Sequence, residues 1–89
     1  MLIPVFTKQF EKDFKRYKRD FKLIQKFKLI TAKLIKQEKL EQKYRDHKLG
    51  GKYTGRRECH ISPDWLLIYK IEGEKIIFER TGSHSELFK

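Results

Sequence analysis

Cysteine is almost missing from this chain: Cys59 stands alone among 89 residues. A single thiol excludes an intramolecular disulfide framework and fits a reducing compartment, so a cytoplasmic location is expected. Long apolar runs are missing too. No stretch approaches the ~18 uninterrupted apolar residues of a membrane span, so no membrane partner is expected. Met1 to Phe6 is apolar, but Lys8, Lys12 and Lys15 follow without a small-residue cleavage site, which argues against a secretory signal. There is no Cys pair, and the spacings His47-x12-His60 and His60-x23-His84 match no strong zinc pattern, so no metal and no other cofactor is implied. Gly50-Gly51-x3-Gly55 precedes a strand pattern rather than a helix, which rules out a P-loop or dinucleotide loop. The length allows one small domain, residues 1–89, and no second.

What the chain has in excess is positive charge. It carries 22 Lys+Arg against 12 Asp+Glu, a net charge of +10. Residues 1–48 hold 15 basic and 6 acidic residues, while residues 49–89 hold 7 and 6. A half-chain this unbalanced points to an anionic partner, nucleic acid before membrane. No Lys/Arg block stands alone as a tail, so the charge belongs to a folded surface.

The hydrophobic spacing gives an element order. Residues 2–6 read as a short strand, with Pro4, which lacks an amide donor, marking an edge position or a strand start. Thr7 is placed to cap a helix whose apolar stripe is Phe10, Phe14, Tyr17 and Phe21. Asp20 is placed to cap a second helix, through Gln37, with Leu23, Ile24, Phe27, Ile30, Thr31, Leu34 and Ile35 on one side. Residues 38–55 read as a polar loop containing three glycines. The period then changes to two: strands over 56–61, 65–71 and 75–81 are separated by turns at Ser62-Pro63-Asp64 and Glu72-Gly73-Glu74. Trp65 to Ile71 is apolar on both faces and belongs in the middle of the sheet. The fold class is α+β: an N-terminal strand, two amphipathic helices on one face, then a mostly antiparallel C-terminal sheet and a short polar-aromatic tail.

The residues with proton chemistry fall in the second half: His47 in the loop, His60 at a strand end, Asp64 in the turn after it and His84 in the tail. An imidazole titrates near pH 6.5 and exchanges protons near neutrality. Each histidine alone fits an exposed or hydrogen-bonded structural role equally well, and Asp64 alone fits a turn residue. Cys59 alternates with Ile61 and reads as a small core residue. Tyr44, Tyr53, Trp65 and Phe88 lie near loops and termini, where they could stack on bases; a core position suits Trp65 as well.

Three stretches taken together carry a resemblance. Asp46-His47-x-Leu49-x-Gly51, His60-x-x-Pro63-Asp64-Trp65-x-Leu67-x-Tyr69 and Arg80-x-Gly82-x-His84-x-x-Leu87-Phe88 resemble the YafQ branch of the RelE-type toxins of bacterial type II toxin–antitoxin pairs. The resemblance implies a metal-independent endoribonuclease, an mRNA interferase acting on messenger RNA in the ribosomal A site. It also implies a cognate antitoxin, expected to be acidic, as a partner. The implied catalytic set is His47, His60, Asp64 and His84, with Lys52, Trp65, Arg80 and Phe88 contacting RNA or phosphate. Cleavage through the RNA's own 2′-OH requires a base for that proton, an acid for the leaving 5′-oxygen, and cations for the phosphate. The helical lysines would then hold ribosomal RNA. Two other classes fit the charge: a same-fold toxin that poisons DNA gyrase by binding, and a non-enzymatic nucleic-acid-binding module.

Overall fold

The computed structural model describes residues 1–88. Thr7 begins the first helix as its cap: its hydroxyl accepts from the Phe10 amide at 3.0 Å and donates to the Glu79 carbonyl, tying the helix start to the sheet. Helix α1 spans Lys8–Phe14 and tightens into a 3₁₀ turn at Lys15–Tyr17. The Asp20 carboxylate then accepts from the Leu23 amide and starts helix α2, Phe21–Ile35. This places Phe21 at the first position of a new axis, where it is largely exposed, rather than on the stripe of α1 as its spacing predicts. Helix α2 stops two residues before the expected Gln37. Gln37 takes a left-handed conformation (φ 60°), and the amides of Gln37 and Glu38 bond back to Leu34 and Lys33. Those two bonds form a Schellman stop, with glutamine in the place usually held by glycine.

Five strands form one sheet in the order β1-β5-β4-β3-β2. They are β1 Ile3–Phe6, β2 His47–Lys48, β3 Arg57–Ser62, β4 Trp65–Glu72 and β5 Lys75–Gly82. Strand β4 is central, as its two-sided apolar pattern predicts, and all pairings are antiparallel except β1 with β5. Pro4 lies on the edge strand. The β4–β5 hairpin turns at Gly73-Glu74; Gly73 has φ 62° at the first central position, which a type II′ turn requires. The segment expected as loop holds the two-residue strand β2, flanked by 3₁₀ turns at Gln42–Tyr44 and Gly51–Tyr53. A strand of two polar residues has no alternation to read. The expected tail forms a single-turn helix α3, His84–Leu87.

The two faces of the sheet are covered unequally. On one, Trp65, Leu67, Tyr69, Ile76 and Phe78 are buried against Phe10 of α1 and Phe27, Ile30 and Leu34 of α2. Trp65 stacks on Tyr17 at 4.4 Å and lies 5.9 Å from Phe27. The expectation that Trp65 contacts RNA is therefore corrected. Trp65 alternates with Leu67 and Tyr69 toward the helices and is 1% exposed, and its Nε1 is buried with no hydrogen-bond partner. Cys59 lies in the same core, where burial pushes its thiol well above the ordinary range, so it is not a nucleophile. On the other face Leu66 and Ile68 are covered only by Leu87, with Leu49, Tyr53 and Phe88 packed around them.

Candidate active site

The thinly covered face carries the chemistry, and strand register explains how. His47 pairs with Glu58, Glu58 with Ile68, and Ile68 with Arg80, so these four residues form one row across four strands. His60, Leu66 and Gly82 form the next row. At ~4.8 Å between strands and ~6.7 Å between rows on one face, the patch measures roughly 14 by 7 Å, the scale of two or three nucleotides.

Arg80 reaches this face through a bulge. Tyr69 pairs with Phe78 but Ile68 pairs with Arg80, leaving Glu79 as an extra residue in β5. Simple alternation from Ile76 and Phe78 would have turned Arg80 toward the helical core. The guanidinium then reaches round to α1, where Nε and Nη2 bond the two carboxylate oxygens of Asp13 at 2.8 and 3.3 Å. Asp13 is buried and also accepts from the Thr81 amide and Gln9. Burial works against its charge, but Arg80, Gln9 and the Thr81 amide together hold its carboxyl below the usual carboxylate range. A phosphate on this face would thus meet an arginine already fixed by an internal carboxylate, with its Nη1 hydrogens outside that clamp.

His47 and His60 meet at a residue the motif reading passed over, Glu58. Its carboxylate is almost fully buried, with Oε1 lying 3.3 Å from His60 Nε2 and 3.6 Å from His47 Nε2. The imidazole centroids are 6.5 Å apart. The His47 ring is fixed from behind as well, because Nδ1 lies 2.6 Å from the Arg45 carbonyl. That contact makes Nδ1 the donor nitrogen and aims Nε2 at Glu58. The available signal was the strand period: Glu58 lies two residues from His60, hence on the same face.

His84 sits across the floor of Leu66 and Ile68, exposed at the start of α3. Its ring is 4.9 Å from that of Phe88, which meets Tyr53 edge-on at 5.6 Å. Tyr53 donates to the Leu87 carbonyl and lies 5.4 Å from Lys52 Nζ, so Lys52, Tyr53, His84 and Phe88 form one group. Glu86 locks this short helix. Its Oε1 accepts from the Ser83 amide at 2.8 Å and from Tyr17 Oη at 3.3 Å, and the carboxylate pairs with Arg16. A Cβ at Gly82 would lie 3.1 Å from Glu86 Oε1, so the residue before the cap must be small. Asp64 is exposed in the Pro63-Asp64 turn, and its charge, with burial and Asp13, acts to raise the Tyr17 hydroxyl. Asp64 therefore belongs to the His84 side. The structure gathers His47, His60 and Glu58 at one side of the patch and Lys52, His84 and Phe88 at the other. Among the described residues, no group of three His, Cys, Asp or Glu is arranged to hold a metal ion, and no helix is long and apolar enough to cross a membrane.

Known proteins carry the same arrangement. Residues 3–89 match a family model described as a bacterial toxin of type II toxin–antitoxin systems, YafQ. The mRNA interferase toxin YafQ of Escherichia coli K12 is 39% identical over 84 residues, which cover 93% of this chain and 91% of that protein. A copper-bound mutant toxin from Helicobacter pylori superposes with a TM-score of 0.92 at 39% identity, over 99% of this chain and all of that one. YafQ in the E. coli DinJ–YafQ complex gives 0.88 at 37% identity over the full length of both chains. This chain belongs to the YafQ family of bacterial toxins of type II toxin–antitoxin systems.

Proposed function

We propose that the protein is an mRNA interferase: a ribosome-dependent, metal-independent endoribonuclease that cuts translated messenger by attack of a 2′-OH on the adjacent phosphate. The observation that carries this reading is the placement of proton-exchanging groups on two sides of one open patch, with an arginine between. In-line displacement puts the attacking 2′-oxygen and the leaving 5′-oxygen on opposite sides of phosphorus, so base and acid must face each other across it. The His47–Glu58–His60 group and the His84–Asp64 side meet that demand, and Glu58 acts as the positioning residue that holds both imidazoles. The 2′-O–P bond forms as the P–O5′ bond breaks; one group takes the 2′-OH proton and the other delivers a proton to O5′. Arg80 and Lys52 offset the charge that grows on the phosphoryl oxygens, and Phe88 stacks on a base.

The relatives are named mRNA interferases, and one of them is complexed with its antitoxin DinJ. The partners proposed for this chain are accordingly A-site messenger, ribosomal RNA held by the basic helices, and a cognate antitoxin with an acidic contact surface.

The test is cleavage of a translated messenger by the purified protein. The expected result is cutting that persists in EDTA under conditions that keep ribosomes intact, leaves a 2′,3′-cyclic phosphate or its 3′-phosphate, and stops when the ribose 5′ to the cut is 2′-deoxy. A 3′-hydroxyl product, or inhibition of gyrase supercoiling without RNA cleavage, would overturn it.

A further inference from the structure

A concavity of about 420 Å³ adjoins the patch on its far side, beyond His60. Its walls are Lys26 of α2, the Lys43-Tyr44-Arg45 turn, and His60 to Pro63 along the outer edge of β3. It exists because β2 is short. Strand β2 pairs only with Arg57 and Glu58, so the rest of the β3 edge has no strand beside it and the preceding turn stands off to form a wall.

The lining is one-sided in charge. Lys26, Lys43 and Arg45 come from separate stretches, no carboxylate lines the concavity, and among the described residues none of the three forms an ion pair. Arg16, Arg56, Arg57 and Arg80, by contrast, are each matched to an acid. Lys43 Nζ lies 5.2 Å from the half-buried Tyr44 ring, placing a cation beside an aromatic face. Arg45 is also held in a left-handed conformation (φ 46°), which costs a non-glycine residue roughly 1 kcal/mol. The same conformation delivers the Arg45 carbonyl to His47 Nδ1, so the concavity and the His47–Glu58–His60 group are built from one turn.

We propose that this concavity is a subsite for the messenger strand next to the scissile phosphate, taking the phosphate of one flanking nucleotide on Lys26, Lys43 and Arg45 and its sugar or base against Tyr44. The inference rests on the interferase reading and extends it: RNA leaving the patch past His60 enters a basic recess of the size of small-molecule sites. Unpaired cations suit a phosphodiester that arrives with the substrate, and an aromatic wall tolerates any base.

The experiment compares two uncleavable RNAs, each carrying one 2′-deoxyribose at a mapped cut site. One is a dinucleotide spanning the cut and the other a nine-nucleotide strand centred on it, both titrated by NMR against the wild type and a Lys26→Gln/Lys43→Gln variant. The nine-nucleotide RNA is expected to lose affinity on the order of tenfold more than the dinucleotide, with its salt slope reduced by about 1.4 for two single-strand contacts. In the wild type, the Tyr44 and Ser62 amides are expected to shift with the longer RNA only. A Lys8→Gln/Lys12→Gln control on α1 removes the same charge and is expected to give no length-dependent loss. Equal loss for both RNAs, or unshifted Tyr44 with the longer RNA, overturns the subsite. So does intact RNA binding with weakened ribosome pelleting, which would reassign the cations to ribosomal RNA. Because these readouts are of binding, a wild type that cuts messenger while the variant binds normally defeats the subsite alone; absence of cutting by the wild type defeats the interferase reading.

Discussion

The two faces of the sheet are made from the same strands and serve opposite ends. Strand β4 sends Trp65, Leu67 and Tyr69 to one side and Leu66 and Ile68 to the other, and all five are buried. What differs is the cover. One side lies under two helices and an aromatic cluster, so every position there is apolar or internally paired. The other is covered by one turn of helix, and its rows are finished with His47, Glu58, His60 and Arg80. A second full layer would add burial and leave no room for a polymer. An open polar face is what a macromolecular substrate requires, and the helix-covered face supplies the stability it lacks.

Truncating a residue on each side breaks this comparison most sharply. Trp65→Ala should cost about 3–5 kcal/mol, a large share of the ~5–15 kcal/mol that holds a small domain together. Urea unfolding measures it, and RNA affinity of the folded fraction should be unchanged; lost affinity in a fully folded variant would return Trp65 to the RNA surface. His84→Ala should do the reverse, lowering cleavage by about 10²- to 10⁴-fold while the thermal midpoint barely moves, since the side chain is exposed. Near-full cleavage would remove His84 from the proton-transfer pair.

Asp13→Asn tests the link between the faces. Asp13 is buried on the helical side yet holds Arg80 of the open side, so the variant should lose about 1.5–3 kcal/mol and weaken phosphate binding together. Because the folded carboxyl lies below its ordinary value, its contribution is fully present above about pH 4 and is lost as pH falls through the lowered folded value. Stability of the wild type should therefore fall more steeply in acid than that of Asp13→Asn, as read from urea midpoints across that range. Parallel curves would mean that Asp13 is no better held in the fold than in the unfolded chain. The smallest effect belongs to the exposed helix lysines. Lys15→Gln, Lys18→Gln and Lys22→Gln together should change stability by less than about 0.5 kcal/mol each and reduce the salt slope of ribosome binding by about 0.7–0.9 per contact. An unchanged slope would make those lysines a solvated face only.

Local pattern determined much of this molecule. Caps at Thr7 and Asp20, the period-two strands, the central place of β4 and the basic first half all follow from residue spacing, because each depends on neighbours within a few positions. The types of the site residues were legible as well, in the order His47, His60, Asp64, Arg80 and His84. Tertiary structure decided which of them meet and what else they meet. The β5 bulge turned Arg80 to the open face, and the paired register brought Glu58 between two histidines. Packing of α1 and α2 over the start of β4 took Trp65 into the core, and Asp13, 67 residues away in sequence, became the partner of Arg80. Sequence spacing reports the face on which a side chain lies, but an ion pair or a bulge depends on which strands pair and by how much they slip, and that is settled only when distant segments pack together.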